Sequence, residues 1–297
     1  MLPFHQSAPI KFKFNLTRPL ALVMVWVAAA CAAPSFAQSG APLRTGVDAT
    51  FAPHAMVKLD GGLQGFNIDL GEELAKRMQR KIEIEGTEFS GLVPGLNAKK
   101  YDFILAPVTV TPERSKAMLF TEGYLDTDYT FVIKKGAPVI KVLDDLKGKT
   151  ISVNKGSAYE NWTRDNAAKY GFKYDVYGNN ADAVQAVQSG RADANLAGST
   201  VAAWAAKQNS AVQTTLTVKT GLVWALAFRL DDKAGRDAAG NALKCMKMDG
   251  TVGRIAAKWF GFVPAADAAA MKAAVGQGVE GLDGYDPTPA KPVCQKV

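Results

Sequence analysis

Strand-like and helix-like segments alternate along most of this chain, and the alternation limits the fold more than any other feature. Lys81–Ile84 alternates apolar and charged residues as a half-buried strand does, and Asp102–Ala106 is typical of a buried strand. Upstream, Leu70, Leu74 and Met78 recur at helical spacing among charged neighbours. A repeated β/α order of this kind predicts mostly parallel sheets with helices on both faces.

The second part of the chain continues the pattern. Its predicted strands and helices, in the order strand, helix, helix and strand, are Thr150–Val153, Tyr159–Lys169, Asn180–Gln188 and Ala192–Ala197. Two segments of extended composition, Asp126–Ile133 and Leu222–Phe228, flank this block. A block entered and left by two strands is predicted to be an inserted domain. The Ala-rich stretch Ala265–Val275 predicts a surface helix.

The N-terminus has the features of a secretory signal. Lys11, Lys13 and Arg18 precede the apolar run Leu20–Ala33, and Ser35-Phe36-Ala37 supplies small residues for cleavage before Gln38. We therefore expect a signal peptide over residues 1–37 and a periplasmic mature protein. Cys31 follows three alanines, so a lipid anchor at that cysteine is the less favoured alternative.

The composition of the exported part excludes several classes of protein. The formal charge of the whole chain is +7, and loss of the three basic residues of the signal leaves about +4. These charges are spread along the sequence, which favours a mixed solvated surface over a nucleic-acid interface. His54 is the only histidine after Ala37, so a histidine-based zinc cluster is excluded, and we expect His54 on the lip of a cleft.

Cleavage after Ala37 leaves two cysteines, Cys245 and Cys294, in a compartment that permits disulfides. We predict one disulfide that joins the C-terminal tail to a helix. No Cys-x-x-Cys motif occurs, so we expect neither a metal nor another cofactor.

The segment around Arg114 predicts a binding site. Thr111 is a favourable helix N-cap, Pro112 suits the first helical position, and Arg114 then falls in the first turn. Free backbone N–H groups beside a guanidinium form a receptor for a small carboxylate.

Several sequence segments, taken in order, resemble those of one protein family. They are LRTGVDATFAP, GFNIDL, GLVPGLNAKKYDFI, TPER, FTEGY, LKGKTISVNKGSAYENW, VQSGRADANL and MDGTVGRIAAKWFG. Together they are similar to the amino-acid-type solute-binding proteins (family 3) of ABC importers. The resemblance implies an α/β, two-lobed periplasmic-binding-protein fold of type II with two crossover strands. It implies lobe 1 at 38–125 plus 226–297, lobe 2 at 126–225, and closure on the ligand like a Venus flytrap.

The resemblance also implies a ligand site and partners. The positions that match the family's binding residues are Asp48, Phe51, Phe89, Val108, Thr109, Arg114, Ser157 and Ala158. The implied ligand is an amino acid or related small carboxylate, and the implied partner is an ABC permease of the inner membrane. We expect a monomer that binds no nucleic acid.

The chain departs from the family at one important position. The aspartate that usually holds the ligand's amino group is replaced by Gly198. Asp126 and Asp128, on the first crossover, are possible substitutes, and a ligand without an α-amino group is the other possibility.

Two alternative functions share this fold. Glu160 occupies the position of the proton donor in periplasmic cyclohexadienyl dehydratases, but binding proteins commonly have a glutamate there too. The second alternative is a ligand-binding module that feeds a sensor. The sequence favours a binding protein without enzyme activity. For Asp69 we expect a structural role, capping or charging the start of the helix that follows.

Overall fold

The computed structural model describes residues 40–289 and 291–294. The predicted signal peptide, its cleavage site and Cys31 lie outside the described residues. In the described part, no helix combines the length and the apolar character needed to cross a membrane.

The described strands are short except for two. They are β1 Leu43–Asp48, β2 Met56–Val57, β3 Leu63–Gln64, β4 Ile82–Thr87, β5 Phe103–Thr109, β6 Leu119–Phe120, β7 Leu125–Lys134, β8 Thr150–Asn154, β9 Lys173–Tyr177, β10 Ala194–Gly198 and β11 Val212–Phe228. β7 coincides with the first segment predicted to connect the inserted block, whereas β11 contains the second, Leu222–Phe228, and begins earlier, at Val212.

Most of the helices connect these strands. They are α1 Phe66–Arg77, α2 Leu92–Asn97, α3 Pro112–Ser115, α4 Ala158–Tyr170, α5 Asn180–Gln188, α6 Ser199–Gln208, α7 Lys233–Met248 and α8 Thr251–Phe260, with 3₁₀ turns at Phe89–Gly91 and Leu143–Leu146. α1 buries one face through Phe66, Leu70 and Leu74, as the helical spacing predicts. Asp69 lies in the first turn of α1 and so charges the helix start as expected, but it makes no capping hydrogen bond. The carboxylate instead accepts hydrogen bonds from Lys258 and Trp259 of α8.

The described strands of the main sheet run in the order β4-β1-β5-β11-β7-β10-β8-β9, with β6 paired to β11. β4, β1 and β5 are parallel and form what we call the first half-sheet. β10, β8 and β9 are parallel and form the second half-sheet. The fold is therefore α/β with a mixed sheet, whose strands are parallel at each end and antiparallel at the centre.

The centre of the sheet consists of β7 and β11, the bridging strands. They pair antiparallel from Val212 opposite Lys134 to Trp224 opposite Leu125, with two register shifts between. Gly221 lies at one shift with a positive φ of 67°, a conformation that glycine adopts without steric cost. The chain leaves the first half-sheet through β7, builds the second half-sheet, and returns through β11.

The predicted helix at Ala265–Val275 is wrong, because this stretch forms turns. Its backbone groups are bound by side chains from elsewhere in the fold. Asp126 accepts from the Ala269 N–H, and Glu122 accepts from the Ala274 N–H. Lys244 donates to the carbonyl oxygen of Ala274. These tertiary hydrogen bonds outweigh the helix propensity of alanine, which is small per residue.

The same contacts fasten the C-terminal tail, residues 263–294. A buried carboxylate, Glu122, lies 2.6 Å from Lys244 Nζ and 2.8 Å from Lys247 Nζ. Lys244 also donates to the carbonyl oxygen of Gly276. The predicted disulfide between Cys245 and Cys294 is present and closes a separation of 49 residues. The tail is thus tied to α7 by one covalent bond and by a buried ionic cluster.

We expect Cys294→Ser to lower the free energy of unfolding by up to about 4 kcal/mol, because the open chain gains loop entropy when unfolded. Urea unfolding without reductant should show this difference, and both proteins should coincide when reductant is added. Two free thiols in a non-reduced digest of the periplasmic protein would contradict the disulfide.

Removing one member of the buried cluster should cost more than removing an exposed ion pair. We expect Lys244→Met to destabilise the protein by about 3 kcal/mol, because it leaves Glu122 and two carbonyl oxygens with fewer donors in a buried place. Lys258→Met is the matched control. Its lysine is 61% exposed, and its loss should cost at most about 1 kcal/mol. Equal losses in urea unfolding would argue against the importance of burial here.

Candidate functional site

Four strands direct their carboxyl ends toward one region between the half-sheets. Asp48 ends β1, Thr109 ends β5, Asn154 ends β8 and Gly198 ends β10. In open α/β sheets, ligands bind in the crevice outside the carboxyl ends of the strands. The fold therefore places the candidate site between the two half-sheets, and we call this region the cleft.

Arg114 projects into the cleft from a capped turn of helix. The Thr111 side chain accepts from the Arg114 N–H at 3.2 Å, as predicted, although α3 is only one turn long. The guanidinium donates to the Thr109 carbonyl oxygen at 2.9 Å and to the Gly156 carbonyl oxygen at 2.9 Å. It also lies over the Phe89 ring, 5.7 Å from its centre.

The charge of Arg114 has no anionic partner among the described residues. Its hydrogen-bond acceptors are both carbonyl oxygens. Burial lowers the pKa of Arg114 from its ordinary value, because a guanidinium with little water around it holds its charge less favourably. A half-buried guanidinium with neutral acceptors can take up a carboxylate from a ligand.

The start of α4 faces Arg114 from the second half-sheet. Ser157 is its N-cap, accepting from the Glu160 N–H at 3.1 Å, and Ser157 and Ala158 are both buried. The Glu160 carboxylate accepts from the Gly156 N–H at 2.5 Å. The Glu160 side chain thus stabilises the turn at Gly156, and the carbonyl oxygen of Gly156 accepts from the Arg114 guanidinium.

Asp48 forms a second link across the cleft. It is 1% exposed, and its Oδ2 accepts from Asn154 Nδ2 at 3.1 Å. Its Oδ1 accepts from the backbone and hydroxyl of Thr50 at 2.9 and 2.7 Å. All of these donors are neutral, so the described residues provide Asp48 with hydrogen bonds but no counter-charge.

Aromatic rings fill the space between these polar groups. Phe51 lies 6.5 Å from Tyr159 with the rings nearly parallel, and 6.3 Å from Trp224 edge-on. Trp224, on β11, donates from its indole N–H to the Thr109 hydroxyl at 3.1 Å. Tyr129, on β7, meets Tyr159 edge-on at 5.0 Å. The cleft is thus lined by both half-sheets and by both bridging strands.

His54 is not a lip residue, because it is fully buried. Its Nδ1 lies 2.9 Å from Asn67 Oδ1, and its Nε2 lies 2.7 Å from the Thr200 hydroxyl across the cleft. The Asn67 amide nitrogen donates to the Leu105 carbonyl oxygen and to Tyr124, so Oδ1 is the acceptor that faces His54. Nδ1 therefore carries the proton, and Nε2 accepts from Thr200.

The structure does not bring every predicted residue to the cleft. The Val108 side chain packs in a core cluster with Leu92, Leu96 and Ile104. The Asp126 carboxylate is bound to the tail at Ala269.

Asp128 also has other partners. It pairs with Lys219 Nζ at 2.7 Å and accepts from the Thr220 N–H, at the register shift of β11. The geometry therefore gives no support to Asp126 or Asp128 as partners of a ligand amine.

Sequence reasoning missed Asn154, Tyr159 and Trp224 as cleft residues, and it placed His54 on the lip of the cleft, whereas this residue is buried. Asn154 could have been found, since it ends a predicted strand at the carboxyl edge of its sheet. Trp224 lies within a segment assigned only as a connection. Its position in the cleft depends on the pairing of β11 with β5 and β7, which no local pattern reveals.

Residues 43–262 match the bacterial extracellular solute-binding proteins, family 3. The lysine/arginine/ornithine-binding periplasmic protein of Escherichia coli is 32% identical over 239 residues, which cover 78% of this chain and 92% of that protein. The match runs from β1 to just beyond α8, so the C-terminal tail lies outside it.

Solved structures agree with the sequence match. An ancestral arginine-binding protein bound to arginine is 36% identical, with a TM-score of 0.71, over 75% of this chain and 99% of that one. An ancestral amino-acid-binding protein described as a precursor of cyclohexadienyl dehydratase is also 36% identical, with a TM-score of 0.69, over 74% of this chain and 95% of that one.

The burial of His54 predicts a pH dependence of stability. Burial lowers the pKa of His54 to about 4, whereas the pKa of a histidine in the unfolded chain is about 6.5. The unfolded chain therefore takes up a proton first as the pH falls. The stability associated with neutral His54 is complete above pH 6.5 and is lost progressively toward pH 4, by up to about 3 kcal/mol.

Urea unfolding of the wild type and of His54→Gln between pH 7 and pH 4 should reveal this difference. Carboxylates titrate in both proteins, so the difference between the two curves isolates the histidine. Parallel curves would show that His54 is not buried in the neutral form.

Proposed function

This chain belongs to the family 3 bacterial extracellular solute-binding proteins, and from that premise we propose that it is the periplasmic receptor of an ABC importer. Its ligand would be an amino acid or a related small carboxylate, bound in the cleft. The observation that carries the proposal is Arg114, a half-buried guanidinium whose only described hydrogen-bond acceptors are the carbonyl oxygens of Thr109 and Gly156. A ligand carboxylate would replace these neutral acceptors with a charged one.

The proposed mechanism is an equilibrium between open and closed arrangements of the two lobes. We place lobe 1 at 38–125 and 226–297 and lobe 2 at 126–225. Away from the bridging strands, described hydrogen bonds that cross the cleft run from Asn154 to Asp48, from Arg114 to Gly156, and between Thr200 and His54. A ligand that contacts both lobes binds the closed arrangement better and shifts the population toward it.

The relatives support the class of ligand and of partner. The relative from Escherichia coli binds lysine, arginine and ornithine by its name, and the ancestral structure holds arginine. We propose an export signal at residues 1–37, an inner-membrane permease as partner and a monomeric receptor. Feeding a sensor is the alternative use of the same binding event.

We further propose that the protein binds without chemical turnover. One structural neighbour is a precursor of a dehydratase, and it is itself described as an amino-acid-binding protein. In this chain, Glu160 is engaged by the Gly156 N–H, which is consistent with a structural role in closing the turn before α4. Aromatisation of a cyclohexadienyl carboxylic acid by the purified protein would contradict this part of the proposal.

The function is tested at Arg114. A thermal-shift screen of amino acids and small carboxylates identifies a ligand, since a compound that binds the native state alone raises the melting temperature. By calorimetry, Arg114→Ala should weaken that ligand by at least about 30-fold, because a carboxylate loses its buried charged partner. Arg114→Lys should restore little, because lysine lacks the planar two-donor fork.

Arg164→Ala is the matched control. Arg164 lies on the exposed side of α4, where it pairs with Asp165, and its removal should leave the affinity unchanged. Full affinity in Arg114→Ala would remove this residue from the site and with it the basis of the proposal.

A further inference from the structure

We infer that the ligand is a carboxylate without an ammonium group on the adjacent carbon, and that Trp224 and Gly198 together set this preference. The inference rests on the proposed function, since it assumes that Arg114 holds the ligand carboxylate. An ammonium on the adjacent carbon would then lie close to the guanidinium, at a place where the described residues supply no free anion.

The groups around Arg114 are aromatic or neutral. The ionisable groups that act most strongly on its charge are Tyr129, Tyr159 and Glu113. Burial raises the pKa of both tyrosines, so both are neutral. Glu113 lies on the exposed side of α3. The wall opposite the guanidinium therefore suits a negative ligand and offers nothing to neutralise a second, positive group.

Gly198 leaves no room for a side chain at the end of β10. A Cβ atom at this position would lie 2.6 and 2.7 Å from Cζ2 and Cη2 of Trp224, and 2.8 Å from the Tyr159 hydroxyl. Trp224 is 1% exposed and is fixed by its bond to Thr109, so it cannot move aside without breaking that contact. The indole thus occupies the place where an acidic side chain on β10 would stand.

The indole does not replace the missing charge. Cζ2 and Cη2 are carbon atoms of an uncharged ring, so the indole supplies no full negative charge at this place. The Tyr159 hydroxyl nearby is neutral, because burial raises its pKa, so it supplies no counter-charge either. An ammonium placed here would be buried without a charged partner.

The remaining carboxylates near the cleft are engaged. Asp48 is only 1% exposed, unlike the half-buried Arg114, and both of its oxygens already accept from Thr50 and Asn154. Glu160 accepts from Gly156, and Asp128 pairs with Lys219. Burying an ammonium without a charged partner is costly, so a ligand that lacks this group should bind better than its amino-acid counterpart.

Matched pairs of compounds test the preference on the wild-type protein. The pairs are L-arginine with δ-guanidinovalerate, L-lysine with ε-aminocaproate, and L-phenylalanine with phenylpropionate, each measured by calorimetry. For the pair that binds, the compound without the α-ammonium should be tighter by at least about tenfold. A tighter amino acid overturns the inference and leaves the proposed function standing. If no amino acid and no small carboxylate binds in the wider screen, the proposed function itself fails.

A double variant tests the two residues. Trp224→Ala with Gly198→Asp supplies a carboxylate and removes the indole atoms that lie closest to the new Cβ, and it should reverse the preference in favour of the amino acid. Trp224→Ala alone makes space without a charge and should keep the wild-type preference. The ratio of the two affinities is the readout, because general structural damage would weaken both compounds alike.

Circular dichroism and thermal unfolding establish that each variant is folded. An unchanged preference in the folded double variant would overturn the roles of Trp224 and Gly198. If the double variant does not fold, the matched pairs on the wild type still decide the ligand class.

Discussion

The antiparallel pairing of β7 with β11 is the constraint on which the rest of the structure depends. It joins two parallel half-sheets into one sheet, and both strands pass beside the cleft, where they contribute Tyr129 and Trp224. The residues that connect the lobes are therefore also residues of the site. The register shift at Gly221 interrupts the ladder between the two half-sheets, and Asp128 stabilises it through Lys219 and Thr220. A bend between the lobes would be accommodated most easily at such an interruption.

The buried and half-buried charges of this protein differ in their partners, which are charged in one place and neutral in another. In the cluster that fastens the tail, Glu122 is paired with two lysines whose remaining donors reach carbonyl oxygens. In the cleft, Arg114 and Asp48 have only neutral partners among the described residues. The first arrangement gives each charged group an oppositely charged neighbour and holds the fold together. The second leaves the half-buried Arg114 without a counter-charge, which an anion from outside can supply, and this distinguishes a binding site from a structural ion pair.

The sequence predicted the parts of the structure that depend on neighbouring residues. Helical spacing located α1, and a threonine followed by proline located the capped turn that carries Arg114. His54 could not be placed in this way, because its partners Asn67 and Thr200 come together only when the lobes meet. The helix predicted at Ala265–Val275 was wrong for the same reason, because side chains from β7 and α7 bind the backbone of this stretch. The resemblance to the family proposed Arg114 for the cleft but not Trp224, whose position depends on the pairing of β11 with β5 and β7.

The position of Trp224 gives the protein a built-in optical signal. Its indole is sheltered in the closed cleft by Phe51 and His54, at ring-centre distances of 6.3 and 4.8 Å. Indole emission shifts to longer wavelength when water reaches the ring, so separation of the lobes would redden the fluorescence of this tryptophan. Trp162, by contrast, packs against Phe131 and Phe172 within one lobe and keeps these neighbours. A change in the colour of the emitted light would thus accompany the opening of the unlabelled protein, with Trp224 as one of its sources.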